Sequence, residues 1–67
     1  MRDPNRLKKF YETMGKIHAE FLPDWRFGQL MQNFIGWHYQ KYGTDVFYLE
    51  EEKMIERFSA YVDEIAG

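Results

Sequence analysis

Two histidines, a run of three glutamates and six basic side chains ahead of residue 27 are the groups in this 67-residue chain whose types could do chemistry. An enzyme needs a nucleophile or an acid/base pair held beside an oxyanion or metal site, and the spacing offers neither. His18 and His38 fall on the apolar sides of helical stretches, so a histidine hydrogen-bonded inside a bundle is the expectation for both. No HExxH or ExxH pattern joins either one to a second ligand on the same helix. Glu50, Glu51 and Glu52 are consecutive, and successive helical side chains point about 100° apart, so the three cannot converge on one ion. They suit a helix N-terminus, where carboxylates meet the positive end of the dipole. With no cysteine in the chain, disulfides and thiolate zinc sites are closed to it. The expectation is a protein without catalytic residues, metal or cofactor.

Arg2, Arg6, Lys8, Lys9, Lys16 and Arg26 are the residues a nucleic-acid site would use. They scatter around one helix, and Glu12 and Glu20 interrupt them, so no basic stripe forms. The connection after the second helix is too long and too aromatic for a helix-turn-helix. Nucleic-acid binding is disfavoured, and a small DNA-associated regulator is kept as the weakest alternative.

The elements that position these groups follow from spacing. Asp3-Pro4 opens a first helix, with Asp accepting from free N–H groups and Pro having none to waste. Leu7, Phe10, Tyr11, Met14, Ile17, His18, Phe21 and Leu22 then recur on one face, which predicts a helix over about 4–21. Pro23 disfavours helical backbone at Leu22, and Asp24 is placed to cap a second helix starting at Trp25. Phe27, Leu30, Met31, Phe34, Ile35, Trp37, His38 and Tyr42 share one side of that helix, about 25–42, with Gly43 as its C-terminal cap. Residues 44–49 read as a short extended connection whose aromatics fold back onto the bundle. Met54, Ile55, Phe58, Tyr61, Val62 and Ile65 mark a third helix over about 50–65. The fold class is all-α, a compact three-helix bundle in a single domain over 1–67.

One stretch departs from the rest of the chain. From Phe27 to Gln40 there is no formal charge, in a chain that is 30% charged. The side of helix 2 away from its apolar stripe carries Gln29, Gln32, Asn33, Gly36 and Gln40, with Tyr39 beside them. Two readings stay open: helix 2 is the buried centre of the bundle, or this face is an interface. Interfaces are depleted in Lys, Glu and Asp and enriched in Tyr and Trp, which puts Trp25 and Arg26 at the adjoining corner into the candidate set. Gly36 would let a partner backbone come close, at a helix-propensity cost of about 1 kcal/mol relative to Ala. Gly28 is attributed to packing near the corner. Arg26 is placed either to meet a carboxylate on a partner or to tie down residues 44–50 through Asp45 or Glu50, the latter being the expected use.

Length and composition set the scale. A domain this small has an expected net stability of about 3–10 kcal/mol, and its aromatic residues, 19% of the chain, must supply much of the core. No apolar run approaches the roughly 20 residues of a membrane span, and MRDPNRLKKF lacks the apolar region of a signal peptide. The expected location is the cytoplasm, with no membrane contact. Residues 1–26 hold six basic and four acidic groups, whereas residues 45–67 hold two basic and seven acidic groups. The second half therefore offers an alternative acidic surface of Glu50, Glu51, Glu52, Glu56, Asp63 and Glu64.

The segments PDWRFGQLMQNF and DVFYLEEEKMIERF, in that order, resemble a group of small uncharacterised proteins of phages and prophages with a PDLRFGQLI…FYxED pattern. Pro23, Asp24, Arg26, Phe27, Gly28, Gln29 and Leu30 match its first part; Phe47, Tyr48 and Glu50 match its second. Trp25 and Met31 depart mildly, and Glu50-Glu51 stands where the pattern has an acidic ED pair. The resemblance covers most of residues 3–60. It implies a phage-borne accessory protein working in a bacterial host cell. By analogy, such proteins act by sticking to a host protein, defence components included. The leading expectation is a non-enzymatic protein-binding module that uses the uncharged face of helix 2 on a host or phage protein, or on itself as a homodimer. The alternative is an inhibitor of a host defence or nucleic-acid-binding complex acting through the acidic helix 3.

Overall fold

Asp3 and Pro4 open the first helix in the computed structural model, which describes residues 2–67. The Asp3 carboxylate accepts the Asn5 N–H at 2.9 Å, and α1 spans Asn5–Phe21. It stops at Leu22, which leaves the helical region at φ −137° and donates its N–H to the His18 carbonyl. Leu22 to Trp25 form a reverse turn closed by the Trp25 N–H on the Leu22 carbonyl at 3.1 Å. Pro23 sits in the first central place of that turn, which its fixed φ suits.

α2 spans Phe27–Tyr42, two residues later than the spacing predicts. Asp24 does not cap it, because that residue is used up in the reverse turn. Extended Arg26 holds the cap position with no side-chain hydrogen bond, and the Trp25 carbonyl accepts from His18 rather than from a helical N–H. At the other end Gly43, at φ 73°, donates to the Tyr39 carbonyl and closes α2 as expected.

The connection that follows is a single 3₁₀ turn over Val46–Tyr48, not an extended segment. Asp45 sets it by accepting the Phe47 N–H on its own carboxylate at 3.2 Å. Three residues complete such a turn, so consecutive side chains diverge by about 120° and only one of them can face the bundle. Val46 takes that place and packs against the core. Phe47 and Tyr48, expected to fold inward, instead stand out at 78% and 85% exposure, edge to face with each other at 4.9 Å. α3 spans Glu51–Ala66, with Glu50 at its cap and Glu51 and Glu52 in its first turn.

The three helices make an all-α bundle with α3 as the shared element: α1 and α2 both pack on it and scarcely meet each other. Leu22, Leu30, Phe34, Phe58, Tyr61 and Val62 form the buried core, with Met14, Ile17, Trp25, Met31, Trp37, Val46 and Met54 around it. Phe34 is the hub. Its ring meets Phe58 edge to face at 5.4 Å, Tyr61 at 5.7 Å, and Trp37 and His38 at 6.1 Å each. α1 contributes no fully buried residue, and the radius of gyration, 12.1 Å, exceeds the roughly 11 Å typical of this chain length. The bundle is open on the side where α1 and α2 would otherwise touch.

Two expectations follow. Phe34→Ala should cost about 3–5 kcal/mol, comparable to the whole stability of a domain this size, and circular dichroism should find the variant largely unfolded at 37 °C. Burial raises the Tyr61 hydroxyl above its ordinary value of 10.0. The folded state then holds a proton that the unfolded chain releases. This contribution is fully present below pH 10 and is lost as pH climbs from there through the folded value. Thermal melts between pH 8 and 11.5 should show Tyr61→Phe losing less stability over that range than the native chain.

Candidate functional site

The uncharged side of α2 lies in solvent. Gln29, Gln32, Asn33, Gly36, Tyr39 and Gln40 are all exposed, Tyr39 at 62%. The reading in which helix 2 is the covered centre of the bundle is therefore set aside: α3 holds that position, and only the Leu30–Phe34–His38 line of α2 is buried. A Cβ built on Gly36 meets no atom within 4 Å, and the same is true at Gly28. Packing at the corner thus does not account for Gly28, and neither glycine is required by the fold of the single chain.

Trp25 and Arg26 adjoin this face in different ways. Trp25 is half-buried against the core, and its carbonyl accepts from Nε2 of His18 at 2.7 Å. Arg26 is exposed and has no ion-pair partner among the described residues. Its expected bond to Asp45 or Glu50 does not form: Asp45 caps the 3₁₀ turn, and Glu50 is taken by Arg2 at 2.6 Å.

A second feature adjoins the first. Because α1 and α2 splay apart on α3, an apolar groove of about 430 Å³ runs between them. Buried Leu30, Phe34 and Phe58 with half-buried Met54 make its floor; Phe10, Tyr11, Met14, Gly15 and His18 form the α1 wall; Phe27, Met31 and Ile35 form the α2 wall. Tyr11 and Phe27 are 66% and 67% exposed, and Ile35 is 42% exposed. At about 100° per residue, Phe27, Met31 and Ile35 make a ridge on the flank of α2 next to Tyr39 and Gln32. The uncharged face and the groove wall are one continuous uncharged surface. The sequence reading of a single inward stripe missed the groove. The available signal was the width of the α2 stripe, which covers about 160° and exceeds what one neighbouring helix buries.

The histidines are structural clasps. His38 is wholly buried, with Nδ1 2.9 Å from the Thr44 carbonyl and Nε2 2.8 Å from the Arg57 guanidinium. A carbonyl can only accept, so Nδ1 carries the hydrogen; a guanidinium can only donate, so Nε2 offers its lone pair. Arg57 in turn lies over the Tyr42 ring, 3.6 Å from its centroid. Among the described residues no three His, Asp or Glu side chains come together to hold a metal ion, and no helix is long and apolar enough to cross a membrane.

Carboxylates of the alternative acidic surface are largely engaged within the chain. Arg2 pairs with Glu50, Arg6 with Glu51 at 2.9 Å, Lys53 with Glu56 at 3.3 Å and Lys41 with Glu64 at 3.1 Å. Trp37 also donates its indole N–H to Glu64 at 3.1 Å. Glu52 and Asp63 have no such pairing among the described residues. The same pairs occupy Arg2 and Arg6, two of the cations a nucleic-acid site on α1 would need. A shallow trench of about 600 Å³ between α1 and the start of α3, lined by Arg6, Lys9, Phe10, Thr13, Ile55 and Glu50 to Glu52, is of mixed charge.

Comparison of the chain with protein-family models, with curated proteins and with solved structures returns no match.

The His38 clasp makes a direct prediction. Arg57→Ala leaves a buried imidazole nitrogen without a donor and should cost about 1–3 kcal/mol, measured as a lower midpoint in urea unfolding. An equal midpoint would show that solvent replaces the guanidinium freely.

Proposed function

We propose that this chain is a non-enzymatic accessory protein of phage type that works in the cytoplasm of a bacterial host by binding another protein chain through the uncharged face of α2. One observation carries the reading: a 14-residue stretch free of formal charge has its amide and aromatic side facing solvent in the folded chain. A helix face that only needs hydration has no reason to avoid Lys and Glu, and α1 and α3 use both on theirs. Interfaces do avoid them, since charge is costly to desolvate. The adjoining ridge of Phe27, Met31 and Ile35 adds apolar area to the same surface. The PDWRFGQL and FYLE segments supply the phage-type part of the reading. The inhibitor alternative has weaker support, because it relies on Glu52 and Asp63 once the paired carboxylates are discounted.

The test is a triple variant, Gln32→Lys, Asn33→Glu and Tyr39→Lys. All three positions are exposed, so each change should alter stability by no more than about 0.5 kcal/mol. Partners captured from a bacterial host lysate by the native chain and read by mass spectrometry should be lost by the variant. A folded variant that retains every partner would refute this use of α2.

A further inference from the structure

We infer that α1 and the turn behind it form a hinged flap: residues 2–25 swing as one body about Arg26, away from a core that α2 and α3 make by themselves, and the ion pair of Arg6 with Glu51 pins the free end shut. The inference is independent of how the outward face of α2 is used.

Burial divides the molecule in this way. Residues 2–25 contribute one buried side chain, Leu22, whereas α2 contributes Leu30, Phe34 and His38 and α3 contributes Phe58, Tyr61 and Val62. α2 and α3 are joined by the Phe34 ring on Phe58 and Tyr61, by Arg57 on His38, and by Trp37 and Lys41 on Glu64. None of these joints involves α1. The backbone of α1 stays close to that of α3 over more of its length than α2 does, but closeness is not enclosure: the mixed-charge trench opens one flank of the contact and the apolar groove opens the other. From α1 itself only half-buried Met14 and Ile17 pack on the core. A segment with so few enclosed apolar contacts opens at a lower free energy than the core does.

Local hydrogen bonds decide where the flap bends. The Trp25 N–H on the Leu22 carbonyl and His18 Nε2 on the Trp25 carbonyl tie the turn to α1, so the turn travels with the helix. Arg26 alone separates that body from α2. Its backbone is extended with no side-chain cap bond, and its side chain has no ion-pair partner among the described residues. Rotation about its φ leaves the helical bond from the Leu30 N–H to its carbonyl intact. At the free end Arg6 holds Glu51 at 2.9 Å with the side chains 35% and 28% exposed, and so shielded a pair is screened less by salt than the open Arg2–Glu50 pair. Opening unseats Leu22 and half-buried Trp25. It uncovers the α3 stripe at Met54 and Phe58 and turns the groove into a wide apolar cleft.

Native-state hydrogen exchange of the full chain, followed residue by residue by NMR, reads the flap directly. Amides from Phe10 to Phe21 should share one opening, at least about 10-fold more populated than that of the central α3 amides and less dependent on urea. Arg6→Gln should speed α1 exchange roughly 3-fold. Arg57→Ala weakens only the joint between α2 and α3, which the open state keeps, so it should speed α3 exchange roughly 10-fold and leave α1 unchanged. Trp37→Phe, which loses the bond to Glu64 in the same joint, takes its place if Arg57→Ala does not fold. Protection of α1 equal to that of α3 overturns the inference, as does protection that climbs steadily from Phe10 to Phe21 in the manner of a fraying end. So does an α1 that Arg6→Gln leaves unmoved, or one that speeds up together with α3 when the joint is weakened.

Discussion

The interaction on which the rest of the structure depends is the seating of Phe34 edge to face on Phe58, at the middle of α3. Phe58 is wholly buried and Phe34 nearly so, and the pair joins α2 to the one helix that α1 also uses. α3 has a single apolar stripe and must serve two neighbours with it. Both neighbours lean on α3 and stay apart from each other, so part of each of their apolar faces remains uncovered. The groove between α1 and α2, the missing fully buried residue in α1 and the exposed ridge on α2 are consequences of that one arrangement.

The two histidines do parallel work at the ends of the first two helices. His18 binds the carbonyl of Trp25, and His38 that of Thr44. Each thereby holds the loop that follows its own helix. A carbonyl in such a loop has lost its helical partner, and when it is shielded from water it needs a donor. An imidazole on the inner face can reach back and supply one while its ring packs among aromatics. At His38 the second nitrogen also accepts from Arg57, tying the end of α2 to α3. Surface ion pairs such as Arg2–Glu50 and Lys41–Glu64 are exposed and add little stability, but they use up charge that would otherwise colour the surface. The outward side of α2 needs no such neutralisation, because it carries no formal charge from Phe27 to Gln40.

Much of the fold was legible in the chain. The 3.6-residue spacing of apolar side chains specified three helices, Gly43 their second stop and Glu50 to Glu52 their third start, because these are local effects of backbone geometry and dipole. The corner was read less well. Asp24 is a competent cap, but a reverse turn through Pro23 competes for it, and the decisive partner of the Trp25 carbonyl comes from His18 on another element. The 44–49 connection differs for a similar reason: the β-branched and aromatic run Val46-Phe47-Tyr48 suggests an extended segment, whereas the Asp45 carboxylate folds it into a 3₁₀ turn that turns Phe47 and Tyr48 outward.

By itself the sequence determined the class of fold, the absence of charge along Phe27 to Gln40, and which amide and aromatic residues share the side of α2 away from its apolar stripe. Only the tertiary structure decided that Gln29, Gln32, Asn33, Gly36, Tyr39 and Gln40 face solvent and that an apolar groove runs beside them. Periodicity reports which side of a helix avoids water, but not how many neighbours will come to cover it. That number depended on which helix took the middle place, and the long-range packing of Phe34 and Phe58 gave that place to α3.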